Sequence, residues 1–598
     1  MKRVFTARPL GLLTLSLIAI IVGIVTGFGS ILFRGLIGLV HNLFFLSHLS
    51  VFYNANVYTP ASPWGAFVIL VPVVGGMGVV FLVKTFAPEA RGHGVPEVMD
   101  AIFYREGRIR PIVAIVKSLA SALSIGSGAA VGREGPIIQI GAALGSTIGQ
   151  IIRMEAWQRI TLVAAGAGAG IAATFNTPIG GVMFAIELML PEISVRTFLP
   201  VALATGTATF ISRLFLGLRP AFEMPPISAM AENAAPLYLL LLYAFLGAMT
   251  GVAASGFIRG LHLMEETFER IGNPYLRHAI GMALVGILMY VLFRFAGQYY
   301  VEGVGYATIQ NVLLGGLGAA SLLAMLFFCK LAATTLSLGS GSSGGIFSPS
   351  LFMGAVLGGA FGALVQMIHP SPDISIPAFA VVGMAAMVGG GTGAAMTAVT
   401  MIFEMTRDYD IVMPLIIAVA VSVGIRRLLS HETIYTIKLV ARRHFIPQAL
   451  HANMFLVRRA NEIMDTDILT LPGDMSFDAF LRMMDHAGRT RHVVVTRENA
   501  IFGVLRVNTG LRKGLEGSHT GLTLGEIAAR NFTIAREEDV MFNVISRMYR
   551  KKAVMVIVTR GRGLPRASDV LGLITKEHIA DSVSESISPN TAAATSSQ

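Results

Sequence analysis

Apolar residues run along this chain in long blocks. Between Leu10 and Val423 the blocks are Leu10–Phe33, Ala66–Val83, Pro111–Leu123, Thr161–Leu190, Phe198–Leu216, Leu237–Ile258, Ala279–Leu292, Leu313–Phe328, Leu351–Val365, Ile376–Phe403 and Ile411–Val423. A helix needs about 20 apolar residues to cross a bilayer. Several blocks are shorter, and many carry Gly or Pro. Broken helices survive at membrane depth only when buried in protein or lining a cavity. The pattern predicts an all-α polytopic membrane domain with broken helices over residues 1–445. Past Ile446 the pattern changes to a short helical signal, a β-rich run and a Gly-turned strand, met from Ala460 to about Leu511 and again from about Leu522 to Val583. The predicted strands are His492–Val495 with Phe502–Leu505, and Val554–Val558 with Leu571–Thr575. Residues 446–583 are thus expected to form an α/β pair of modules, and Ser584–Gln598, rich in Ser, Thr and Ala, a disordered tail.

Composition sharpens the division. The 598 residues are 54% hydrophobic and 14% charged, against about 25% charged in an average soluble chain. The charged residues are denser after Ile446 than before it. The composition argues against a soluble multidomain enzyme, and no enzymatic activity is expected. The net charge of +11 comes without a basic stripe interleaved with aromatics. It reads as Lys and Arg kept on the cytoplasmic side of a membrane, with no nucleic-acid partner. The single cysteine, Cys329, excludes intrachain disulfides, cysteine–zinc sites and iron–sulfur clusters. Lys2, Arg3 and Arg8 before Leu10–Phe33 resemble a signal sequence. That stretch is too long and no A-x-A site closes it, so a retained membrane helix is expected.

The membrane part repeats itself. When the chain is slid so that Lys117 meets Lys330, Ser124, Gly126, Ser127, Gly128, Gly132 and Pro136 fall on Ser337, Gly339, Ser340, Gly341, Gly345 and Pro349, with Ser124 over Ser337 leading the run. The match continues with Gly141, Gly145 and Gly149 over Gly354, Gly358 and Gly362, and a slightly different register sets Glu187 over Glu404. Paired Gly/Pro-interrupted segments in two halves of a membrane protein point to a binding site near the midplane.

Three clusters carry the candidate chemistry: Gly92-His93-Gly94-Val95-Pro96-Glu97, Gly132-Arg133-Glu134-Gly135-Pro136 and Gly344-Gly345-Ile346-Phe347-Ser348-Pro349. Each places Gly and Pro at the opening of a following helical segment. Helix N-termini expose unpaired N–H groups and about half a positive charge. Several aimed at one place form an anion site without a fixed full charge, which suits an ion that must bind and leave quickly. No metal site is expected. Glu134 has Phe347 as its counterpart, so its carboxylate is not needed to build the repeat. Two readings stand. Glu134 satisfies its own helix end, or it occupies an anion position and vacates it when protonated or swung aside. Arg133 reads as an anchor of its loop.

Gly-Arg-Glu-Gly-Pro at 132–136 and Gly-Ile-Phe-Ser-Pro at 345–349, with Gly-x-Gly-x-Pro-Glu at 92–97, resemble the CLC chloride channels and transporters. Both C-terminal copies resemble CBS modules, which usually come as a pair. The resemblance covers nearly the whole chain. It implies two oppositely oriented halves, a homodimer with one pore per subunit, a multi-pass protein of the cell membrane with both termini cytoplasmic, and Glu134 as the gating glutamate. The implied anion-binding set is His93, Gly94, Gly132, Arg133, Gly135, Ile346, Phe347 and Tyr435, the last matching a family tyrosine whose hydroxyl completes the central site.

Two departures matter. His93 stands where most chloride-selective members carry Ser, and histidine can donate and carry charge near neutral pH. Leu188 stands where many proton-coupled members carry a proton-transfer glutamate. Glu187 and Glu404 read as structural hydrogen-bond acceptors. For the CBS pair, Gly503–Thr509 and Gly572–His578 lack the Asp of a nucleotide-binding strand end, and only the second, with Thr575, keeps its Thr. An adenine nucleotide is a possible ligand there, a dimerising structural module the preferred reading, and no other cofactor is expected. The function expected from the sequence is anion transport, chloride foremost. A passive conductance is slightly preferred over chloride/proton exchange because of Leu188. A CBS-bearing divalent-cation transporter and a membrane-anchored sensor are the remaining alternatives. The first would need clustered intramembrane carboxylates; the second would not need three anion-type helix starts.

Overall fold

The structure, a computed structural model, describes residues 10–218, 221–223, 237–371, 374–446, 454–484, 492–507, 521–561 and 566–587. It divides into two units, Met1–Ile446 and Pro447–Gln598.

The first half of the membrane unit holds α1 (Leu12–Leu46), α2 (Val71–Phe86), α3 (Val95–Tyr104), α4 (Ile112–Gly126), α5 (Glu134–Ile151), α6 (Ala156–Phe175), α7 (Pro178–Phe184) and α8 (Val195–Leu216). The second half holds α9 (Leu237–Glu269), α10 (Pro274–Ala296), α11 (Tyr306–Leu313), α12 (Ala320–Ser340), α13 (Phe347–Ile368), α14 (Ile376–Thr392), α15 (Ala395–Thr406) and α16 (Val412–Leu429), and the short α17 (Thr436–Ala441) follows. Among the described residues, 8 helices are long and apolar enough to span a membrane.

Two apolar runs that read as single blocks are each two helices. Thr161–Leu190 breaks at Asn176, whose φ of 62° ends α6, and Pro178 then opens α7. A π-helical turn, Ala185–Met189, closes that segment. Ile376–Phe403 breaks at Gly393, φ 77°. Proline fits a first helical turn and a left-handed residue ends a helix, but neither alters hydrophobicity. Helix α1 continues past Phe33 through His41 and Asn42, which are buried yet satisfied: Asn42 donates to the carbonyls of Ser50 (2.8 Å) and Phe52 (2.9 Å).

The halves pack alike. Helix α5 lies on α6 as α13 lies on α14, α1 on α8 as α9 on α16, and α2 on α4 as α10 on α12. The tightest crossings use glycine. A Cβ on Gly141 would lie 2.1 Å from the Gly166 carbonyl oxygen; the second half's counterpart, Gly354, would meet the Gly383 oxygen at 2.3 Å. Backbones approach this closely only through small residues.

The second unit contains two three-stranded sheets of one topology. In the first, β1 (Ile468–Pro472) runs parallel to β2 (His492–Arg497), which pairs antiparallel with β3 (Ala500–Arg506). In the second, β4 (Phe532–Arg536), β5 (Met555–Thr559) and β6 (Val570–Thr575) repeat the arrangement. Helix Phe477–Met484 packs Phe477 and Phe480 on Val493, Val495 and Leu505, and helix Met541–Arg550 packs Met541 and Val544 on Val556 and Val558. Strands β1 and β4 add to the four strands expected. The Thr575 hydroxyl accepts from the His578 amide (3.2 Å), capping a helix that runs from Lys576 to Ile587, past Ser584 where the tail was expected. Asn508, Thr509 and Leu511, and residues 588–598 of that tail, lie outside the described residues.

Candidate functional site

Four interrupted segments converge. The three clusters seen in the sequence precede α3, α5 and α13, and a fourth, Gly303-Val304-Gly305, precedes α11. The first three pair through backbone. Gly132 and Gly345 exchange N–H···O bonds of 2.7 and 2.6 Å, Gly92 donates to Ser342 (3.2 Å) and Gly344 donates to Gly92 (3.2 Å). The glycines are required by these approaches. A Cβ on Gly135 would stand 2.3 Å from the His93 carbonyl oxygen and 2.8 Å from the Gly345 Cα; one on Gly94 would stand 2.7 Å from Gln139 Oε1.

The repeat-matched lysines hold this frame. Lys117 Nζ donates to the carbonyls of Ala90 (2.9 Å) and Gly92 (2.7 Å), and Lys330 Nζ to those of Val301 (2.9 Å) and Gly303 (2.8 Å). Both lysines are fully buried. Each therefore fixes the loop that opens a short helix of its own half. The Gly303–Gly305 motif was missed in the sequence because it aligns with Gly92–Gly94 in a register other than that of Lys117 over Lys330. A short Gly-x-Gly match was its one available signal.

Glu134 is the first residue of α5, and its side chain is completely buried. Its carboxylate does not turn back onto its own helix. Oε2 accepts from the Ser348 amide (3.2 Å) and hydroxyl at the start of α13, and Oε1 accepts from the Tyr306 hydroxyl at the start of α11. Arg133 Nε lies 4.0 Å from Oε1 without a hydrogen bond of its own, and the guanidinium stands 5.0 Å from the Tyr306 ring centroid. A carboxylate thus sits where the exposed donors of one helix end would hold any anion.

The remaining sequence-derived residues gather nearby. Ile346 caps α13 and Phe347 begins it, its ring 5.6 Å from Phe175. His93 is buried, its ring centroid 5.9 Å from that of buried Tyr435, and its Nδ1 has no hydrogen-bond partner. A cavity of about 550 Å³ opens next to this loop, with Arg91, Glu97, Gly341, Lys438 and Arg442 on its walls. Glu187 accepts from the amides of Met396 (3.2 Å) and Thr397 (2.9 Å) at the start of α15, while Glu404 accepts from Ile179 (3.1 Å) and Gly180 (2.7 Å) at the start of α7. These two carboxylates cap one another's helices across the halves, in the structural role read for them.

A family profile described as Voltage gated chloride channel matches residues 75–427, and one described as CBS domain matches residues 460–509. The H(+)/Cl(-) exchange transporter ClcA of Vibrio parahaemolyticus serotype O3:K6 is 34% identical over 384 residues, 62% of this chain and 79% of the relative. The protein of the same name from Salmonella paratyphi B is 30% identical over 438 residues, 71% of this chain and 88% of the relative. Among solved structures, a slow cyanobacterial Cl-/H+ antiporter matches at a TM-score of 0.62 and 26% identity, covering 73% of this chain and 99% of its own. A eukaryotic CLC transporter shares the fold at a TM-score of 0.59 and 21% identity, over 95% and 98% of the two chains. The fold is the inverted-repeat membrane architecture expected, followed by a CBS region, and the chain belongs to the voltage gated chloride channel (CLC) family of membrane anion transporters.

Proposed function

We propose that this chain exchanges chloride for protons, with Glu134 both plugging the anion path and carrying the proton. The carrying observation is the buried Glu134 carboxylate seated on the donors of Ser348 and Tyr306. Ionised, it competes with chloride for those donors. Protonated, it loses its charge and most of its hold on them, and an anion replaces it. One group alternating between proton and anion duties couples the two fluxes. The exchanger names of the relatives from Vibrio and Salmonella support the same reading. It replaces the passive conductance that Leu188 suggested, since a leucine excludes proton transfer only through that one position. Liposomes carrying the protein, with membrane potential clamped near zero, should accumulate chloride when only an acid-inside pH gradient is imposed. A passive pore would accumulate none.

In this reading Gly94, Gly132 and Gly135 let the helix ends close on one another, and the amides of Ile346 and Phe347 face the central anion. Arg133 offsets the carboxylate charge. His93 and Tyr435 approach from the cavity side. The His93 ring is buried with its Nδ1 unpartnered, and in this reading it serves as a neutral donor. Tyr435→Phe should lower chloride affinity by an amount corresponding to ~0.5–1.5 kcal/mol; unchanged calorimetric binding would remove Tyr435 from the site. His93→Ser should raise the chloride/nitrate preference, and identical ratios in both proteins would remove His93. Residues 1–445 form the transport domain and 446–583 a tandem CBS module that assists dimerisation, both termini being cytoplasmic.

A further inference from the structure

We propose that Tyr306 and Ser348 form a hydroxyl latch on Glu134 that sets how acidic the medium must become before the gate opens. The inference rests on Glu134 being the gate. Three donors converge on one carboxylate: the Tyr306 hydroxyl on Oε1, and the hydroxyl and amide of Ser348 on Oε2. An ionised carboxylate only accepts, so a fully donated set favours the charged form. The two hydroxyls also lie 3.1 Å from each other.

The latch is rigid. Tyr306 begins α11 directly after Gly305, whose φ is 79°, in the loop that Lys330 holds. Its ring is buried, packed edge-on against Phe222 with centroids 5.0 Å apart, and faced by Arg133. Ser348 is held in the first turn of α13, fully buried. The other charged and titratable groups facing this cluster are Arg133 beside the carboxylate, Arg34 of α1 behind Arg133 and Tyr306, and Tyr435 before α17, which feels the Glu134 charge. On the far side of Tyr306, a space of about 20 Å³ is walled by Tyr306 and Glu302, and His41 lies 2.9 Å from that glutamate. None of these others donates a hydrogen bond to Glu134. Tyr306 and Ser348 are positioning residues: they act on the anion and proton through Glu134.

The sign follows directly. Removing a donor weakens the charged form, so Glu134 takes its proton at higher pH and the gate opens at higher pH. Chloride flux is measured in liposomes from about pH 3.5 to about pH 8, a window that spans the ordinary glutamate value and runs well above it. The protonated carboxyl band is followed in parallel by infrared titration, which reads Glu134 even in a variant that transports poorly. Tyr306→Phe should move both midpoints up by about one pH unit, a tenfold change in proton affinity, and Ser348→Ala should move them in the same direction. In a Glu134→Gln background neither substitution should create a pH dependence. Unmoved midpoints in both variants, or the same shift persisting without Glu134, would overturn the latch. A wild-type pH profile that Glu134→Gln leaves unaltered would instead sink the gate reading, and the latch with it.

Discussion

Glu134→Gln should leave chloride flux about level across the pH range in which the wild-type flux changes, and reduce coupled proton movement to background. Glutamine keeps the side-chain volume but carries no charge, so it mimics the protonated gate permanently. Glu134→Ala removes the plug as well and should conduct anions without any pH response. The effect is large because, among the described residues, no other carboxylate takes part in this cluster. Glu187 and Glu404 are each engaged by two backbone amides at the starts of α15 and α7. If both variants keep wild-type flux and its pH response, the carboxylate is a structural acceptor joining α5 to α13 and no gate.

A second large effect is expected far from any charge. Gly141→Ala places a methyl group 2.1 Å from the Gly166 carbonyl oxygen, where backbone faces backbone and no flexible side chain can yield. Overpacking of this kind costs about 1–3 kcal/mol, and Gly141→Val should cost more. Helix α5 carries Glu134 at its first turn, so a displaced α5 should also weaken chloride binding. Gly391 in α14 is the control: a Cβ there meets nothing within 4 Å. Gly391→Ala should leave melting in detergent unchanged or raise it, since glycine costs up to about 1 kcal/mol relative to alanine inside a helix. Equal melting of the Gly141 and Gly391 variants would mean that the α5–α6 crossing does not depend on glycine.

Much of this was legible in residues. The Lys117/Lys330 register exposed the duplication because shared Lys, Ser, Pro and Gly positions are hard to obtain from apolar composition alone, and the helix-opening glycines marked three of the four converging segments. The fourth escaped because Gly303–Gly305 carries only two matching glycines and shifts its register against the lysine. Tyr306 escaped with it, for an aromatic at the start of a short apolar segment reads as packing until the partner of its hydroxyl is known. The breaks at Asn176 and Gly393 were hidden within continuous apolar blocks, since backbone conformation there changes without any change in hydrophobicity. Leu188 speaks to one proton route only. One side chain can report which route a proton does not take, whereas coupling depends on whether any group exchanges proton for anion.

The most direct test of the account is simultaneous recording of chloride and external pH from liposomes loaded with high chloride and no pH gradient, the potential clamped near zero. Chloride running outward should drive protons inward against their rising gradient, alkalinising the medium in step with the efflux, and Glu134→Gln should abolish the alkalinisation while chloride still flows. Chloride efflux from the wild-type protein with no pH change at all would contradict the exchange account and return the chain to a passive conductance.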